Sequence, residues 1–322
     1  MPAACRNSPW SIIAYCMTLL IAGAALAQEF PVKPLRIVTT GIGSGSDIAA
    51  RVIAQALTGP LGQQVIVDPR GNGIVPGQTV AQAAADGYTL LINGTSLWIG
   101  TLFQNTGYDP IKDFSAISWI LKQPNVLVMH PSLPVKSVRE LLALAKSRPG
   151  ELNYASSATG SSSHLAAELF KALSGTNITR ISYTAGASQI ADLLGGHVQL
   201  MFATSALVSS HLKSGRLKAL GVTSLESSAL LPGLPSIASA GVPGYESVGM
   251  TGFFAPAKTP SSIVNRLNQE VVRVLRLPDV KEKLFNAGVE TVGSSPEELA
   301  NKIKSELARL GKVIKDAGIK GE

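Results

Sequence analysis

The sequence predicts an α/β protein of two lobes built on largely parallel sheets. Three observations carry this reading. At 322 residues the chain exceeds one ordinary domain, and its 45% hydrophobic and 15% charged content suits a sizeable core. After Gln28 a β-rich run, a Gly/Ser turn and a helical stretch follow one another repeatedly, as in α/β folds with parallel strands. No low-complexity linker divides the chain, so it is expected to cross between lobes near Phe114 to Pro124 and near Pro243 to Phe254, forming a hinge.

The elements follow in order. Leu35 to Thr40 reads as a strand; Ile48, Val52, Ile53, Ala56 and Leu57 then recur at helical spacing until Gly59-Pro60. Gln64 to Asp68 is a second strand, Thr79 to Ala85 a helix, and Tyr88 to Gly94 a third strand. A second unit opens with a strand at Asn125 to Pro131 and a helix at Val135 to Lys146. The strand Leu152 to Ser156 runs into "SATGSSS" and a helix that Gly175 ends, and His197 to Thr204 and Arg216 to Ser224 are further strands. Gly249 to Ala257 is a strand, Pro260 to Leu277 a helix, and Leu299, Ile303, Leu307, Leu310 and Ile314 form the core-facing stripe of a last helix.

The first 27 residues carry one positive charge (Arg6), an apolar run (Ile12 to Ala25) and a small-residue site at Ala25-Leu26-Ala27, the pattern of a secretory signal peptide cleaved after Ala27. Both cysteines, Cys5 and Cys16, lie inside it, which excludes disulfides and thiol chemistry from the mature chain. The net charge of +7 is scattered, and its densest stretch, Lys302 to Lys320, alternates with Glu306 and Asp316. That is a solvated helix face, so no nucleic-acid partner is expected.

Two loops carry the chemistry. "TTGIGSGSD" (Thr39 to Asp47) and "SATGSSS" (Ser157 to Ser163) each join a strand to a helix, are rich in glycine and serine, and contain no cation. A helix N-terminus leaves unpaired N–H groups and a partial positive charge, so such a loop suits an anion. The donors are backbone N–H groups with the hydroxyls of Ser44, Ser46, Thr159, Ser161, Ser162 and Ser163. Charge-assisted hydrogen bonds contribute about 1.5 to 3 kcal/mol each. A few shared between two helix ends reach the roughly 8 kcal/mol of a micromolar complex, so a carboxylate needs no fixed cation. For either loop alone the plainer reading is capping, with Ser44 or Ser46 as N-cap and Asp47 completing a capping box. Two such loops in separate lobes of an exported protein favour the anion site. His164, in the first turn of the second helix, serves equally well as a donor to an anion or as a cap.

Other chemistries fit poorly. Gly41, Gly43 and Gly45 follow a strand as in a dinucleotide fold, but Ser46 stands where the third glycine belongs, and no phosphate-binding lysine is present. The nearest approach to a nucleophile elbow, "GTSLW", has Trp98 in place of glycine. His130, His197 and His211 lack metal-ligand spacing, so neither metal nor cofactor is expected.

The segments "KPLRIV", "SDIAARVIAQAL", "GQQVIVDPRG", "PNVLVMHPSLPVKSVRELLALAK", "PGELNYASSATGSSSHLAAELF", "LLGGHVQLMF" and "LPGLPSIASAGVPGYES" occur in that order. Together they resemble the tripartite tricarboxylate transporter substrate-binding proteins, the Bug family, over Pro31 to Gly318. The resemblance implies a two-lobe periplasmic binding protein fold of type II character. Residues 28–122 and 250–322 would form one lobe and 123–249 the other, joined by crossing strands. It implies a non-enzymatic receptor that closes on a small carboxylate and delivers it to the membrane components of a tripartite transporter, with a sensor receptor as the alternative partner. It places Gly43, Ser44, Gly45, Ser46 and Asp47, and Ser157, Thr159, Gly160, Ser161, Ser162, Ser163 and His164, around a ligand carboxylate. Thr95 and Ser96, within Asn93 to Ser96, and Ala203 and Thr204 would define the rest of the pocket. This chain departs from the family pattern in three places. Its first loop is short and lacks prolines, Ala203-Thr204 replaces a frequent Asp-Asn, and "YTAG" (Tyr183 to Gly186) replaces "YKGG". These losses predict a plain mono- or dicarboxylate as ligand rather than an amino acid.

Overall fold

The computed structural model describes residues 30–42, 44–71, 74–157, 160–183 and 186–316. The expected signal peptide and its cleavage site after Ala27 lie outside them. Every element below belongs to one unit that begins at Lys33, and among the described residues no helix is long and apolar enough to cross a membrane.

Strand β1 (Leu35–Thr39) is buried except at Arg36 and pairs in parallel with β2 (Val65–Pro69) and β3 (Thr89–Gly94). Between β1 and β2, helix α1 (Gly45–Leu61) buries Ala49, Ala50, Ile53, Ala54, Leu57 and Leu61, one stripe at helical period. Gly59-Pro60 does not stop it: Pro60 sits in the last turn, where little helix follows to be disrupted, and Gly62 ends the helix at φ 64°. Helix α2 (Val75–Ala81) lies earlier than its expected span because Pro76 occupies the first turn, where its missing N–H costs nothing. The short helix α3 (Ser96–Ile99) follows β3 directly.

The long strand β4 (Phe114–Met129) organises the rest. Only its last third was legible as a strand. From Phe114 to Pro124 it pairs antiparallel with β9 (Val248–Pro256). From Asn125 to Met129 it pairs instead with β7 (Leu200–Thr204) and β8 (Lys218–Val222). Helices α4 (Val138–Ser147), α5 (Ser162–Ser174), α6 (Gly186–Leu194) and α7 (Ser205–Lys213) flank this second half, with β5 (Asn153–Ser156) and β6 (Thr179–Ser182) parallel at its edge. The order is β2-β1-β3-β9-β4-β7-β5-β6, with β8 and β10 (Glu290–Thr291) also on β4. The sheet is therefore mixed: parallel at both ends, as the sequence suggested, and antiparallel where the chain crosses. Register shifts at Ala116/Ser118, Trp119/Leu121 and Leu127/Val128 add the twist that curls it.

Helices α8 (Ser261–Leu275), α9 (Pro278–Asn286) and α10 (Pro296–Asp316) return to the first half. There Leu299, Ile303, Leu310 and Ile314 join Trp98, Phe114 and Phe254 in one apolar cluster. A second cluster gathers Leu127, Tyr154, Phe170, Phe202 and Tyr245 on one face of the other half, and a third gathers Val126, Val128, Leu193 and Val208 on its opposite face.

Four tyrosines make a pH prediction. Burial, and then a hydrogen bond to Asp192 for Tyr183, pushes Tyr108 and Tyr183 up to about 12, against 10.0 for a free phenol. Tyr154 and Tyr245 are raised by burial as well, Tyr154 further by Glu168. A raised folded-state pKa means that the native state holds the proton longer, so this stability is complete below pH ~10 and falls as pH rises from about 10 to 12. Urea midpoints should thus stay level up to about pH 10 and drop between about pH 10 and 12; a flat profile over that range would contradict it.

Candidate functional site

The two loops form their helix starts in the same way. Ser44, in extended backbone (φ −69°, ψ 159°), accepts the Asp47 N–H at 3.1 Å, and Ser161 (φ −65°, ψ 158°) accepts the His164 N–H at 3.3 Å. Thr40 Oγ1 lies 2.7 Å from Ser44 Oγ and steadies the first cap. Each cap satisfies one N–H and leaves the first N–H groups of α1 and α5 without helical acceptors.

Both helix starts open onto a cleft of about 290 Å³. Thr40, Ser44, Gly45 and Ser46 line it from the first loop, and Gly160, Ser161 and Ser162 from the second. Asn93, Gly94, Thr95 and Ser96 contribute from the end of β3; Gln123, Gly249, Met250 and Thr251 come from the crossing strands, and Val289 completes the lining. Among the described residues no ionisable side chain lines it. Thr95 ties the wall together, its Oγ1 accepting the Met250 N–H at 3.0 Å. Asn93 is fully buried; its Oδ1 accepts the Gly94 N–H at 2.8 Å, while its Nδ2 has no hydrogen-bond partner among the described residues. A buried N–H left so is costly unless something accepts it. The cleft thus offers hydroxyls, helix N-termini and one buried amide donor, a set suited to an anion.

Of the residues named from the sequence, Ser44, Gly45, Ser46, Thr95, Ser96, Gly160, Ser161 and Ser162 line the cleft. Gly43 and Thr159 lie outside the described residues. Six others are placed in support of the walls rather than on them. Asp47, 2% exposed, pairs with Arg51 at 3.1 Å along the helix side. Ser157 Oγ accepts from Gln189 Nε2 at 2.9 Å, and Ser163 Oγ accepts the Ser157 N–H at 3.2 Å. His164 is buried and its Nδ1 accepts the Gly160 N–H at 3.2 Å, which holds the second loop in shape. Ala203 is buried at the end of β7, and Thr204 precedes α7 without a side-chain cap.

Gln123, Gly249, Met250, Thr251 and Val289 were missed. They belong to segments that meet only through the crossing strands. One signal existed: Gly249 and Gly252 interrupt a strand, and a glycine there marks close approach.

The model of the tripartite tricarboxylate transporter family receptor matches residues 49–319. The chain belongs to this family. Its relatives include protein BugT of Bordetella pertussis, 33% identical, the match covering 95% of this chain and 96% of that one. Among solved structures it is similar to R. palustris Rpa4515 with adipate, at 36% identity and a TM-score of 0.76, covering 91% of this chain and all of the other. It is also similar to MatC from Rhodopseudomonas palustris with bound malate, at 27% identity and a TM-score of 0.71, covering 88% of this chain and all of that one. The family is one of receptors, and its mixed sheet with flanking helices is the periplasmic binding protein architecture.

Proposed function

We propose that this protein is an exported, periplasmic solute receptor, processed after Ala27, that captures a small carboxylate and hands it to the membrane components of a tripartite tricarboxylate transporter. Residues 28–122 with 250–322 and residues 123–249 act as its two lobes, and ligand contacts made only in the closed state drive hinge closure. The observation that carries this reading is the convergence of two serine-capped helix N-termini and the buried Asn93 amide on one uncharged cleft. Dipole and neutral donors favour a carboxylate without fixing its length or demanding a cation. The adipate and malate found with its relatives make linear dicarboxylates the first candidates.

Thermal unfolding against adipate, malate, their methyl esters, glutamate, aspartate and NAD tests it. A ligand at a hundred times its Kd adds about 2.7 kcal/mol, worth several degrees. Shifts are expected for free acids and not for esters, and smaller ones for amino acids than for their deaminated analogues, because Ala203 and Thr204 supply no carboxylate for an ammonium group. A shift with NAD alone would sink the proposal.

A further inference from the structure

The crossing strands have two faces, and each faces a cavity. On β4, Gln123 lines the ligand cleft while Lys122 and Pro124 line a second cavity; on β9, Gly249 and Val248 divide in the same way, as do Val289 and Glu290 beside them. Side chains on a strand alternate between faces. The second cavity, about 210 Å³, therefore lies directly behind the hinge. Trp119 and Glu290 wall it from the first half of the sheet, and Ser224 to Ser228, following β8, wall it from the second. Ser228 Oγ donates to Glu290 Oε1 at 2.5 Å across it.

In front, the two halves touch across the cleft mouth. Gly160, at φ 79°, lies beneath the Phe103 ring, where a Cβ would sit 3.0 Å from the ring edge. Gly288 approaches the start of α7 so closely that its Cβ would be 3.0 Å from the Ala206 methyl.

We infer that the rear cavity is the counterpart of the ligand cleft. When two bodies rotate about shared strands, the faces change in opposite senses, so opening the front must compress the back. Side-chain volume at half-buried Val248 then sets how much unliganded protein is closed, and through that fraction the affinity of a site on the other face. Val248 is in this sense a positioning residue. The inference rests on the two-lobe closure proposed above. A larger side chain clashes in the open state and is accommodated in the closed one, and apparent Kd falls as the closed fraction rises.

The test is a series of Val248→Ala, Val248→Phe and Val248→Trp in the whole mature chain. Small-angle scattering without ligand should give a radius of gyration that decreases from Ala through wild type to Trp. Calorimetry with adipate should give a Kd about tenfold lower for V248W than for V248A, mainly through slower release. Ser227→Trp, on the opposite wall, should act in the same direction and serves if V248W fails to fold. Equal radii across the series, or larger ones for the tryptophan variants, would overturn the inference. Adipate and malate binding to no variant, wild type included, would count against the proposed ligand class, while the unliganded scattering would still decide the role of the rear cavity.

Discussion

Replacing Ser46 with tryptophan should weaken carboxylate binding by at least a hundredfold, a loss of about 2.7 kcal/mol, while leaving the fold intact. Ser46 is the second residue of α1 and lines the cleft. Its Oγ would lie 3.7 Å from a Cβ placed on Gly94, so the Ser46 side chain sits beside the end of β3 at the cleft wall. An indole there occupies ligand volume and removes a hydroxyl donor at the positive end of the helix. Because Ser46 is only half-buried and makes no side-chain hydrogen bond among the described residues, the unliganded melting temperature should move by no more than about 2 °C, as for surface changes. Calorimetry with adipate and a thermal melt separate the effects. Unchanged affinity would move the ligand elsewhere. Asp47→Asn makes the contrast: it breaks the pair with Arg51 behind the cleft wall and should lower stability more than affinity.

Gly252→Ala should be the most damaging small change to stability. Gly252 sits on β9 between Asn93 of β3 and Trp119 of β4. A Cβ there would stand 2.4 Å from Phe254 Cζ. The ring cannot yield, since Phe254 is 1% exposed and packs against Trp98 and Phe114 at centroid distances of 6.4 and 6.1 Å. Overpacking of this kind costs about 2 to 3 kcal/mol, so the melting temperature should fall by roughly 5 to 10 °C. Gly100→Ala is the control: its backbone is helical (φ −55°, ψ −31°) and its Cβ meets nothing within 4 Å, so stability should hold or rise. Equal melting temperatures for the two variants would contradict the packing argument.

What could be read in advance follows how far apart the deciding residues lie. The strand, loop and helix units at Thr39 and Ser156, a serine cap at Ser44 or Ser46, and the stripe from Leu299 to Ile314 depend on neighbours within a few residues, and periodicity and capping chemistry expose them. His164 stood open between donor and cap because its Nδ1 accepts the Gly160 N–H, and a loop's shape determines which backbone group a ring nitrogen meets. Phe114 to Pro124 did not read as a strand because bulges break its alternation and Trp119, Lys122, Gln123 and Pro124 interrupt its apolar run.

By itself, then, the sequence determined the α/β units, the two serine-rich loops that open helices and the absence of a cation in either loop, since each is written in contiguous residues. Only the tertiary structure decided that β4 passes from one half of the sheet to the other, that Gln123, Gly249 to Thr251 and Val289 share a cleft with Ser46 and Ser162, and that a second cavity lies behind it. The physical reason is pairing across long separations. Whether Gln123 faces the cleft or the rear cavity depends on strand register, a shift of one residue exchanges the faces, and that register is set by β9, far along the chain.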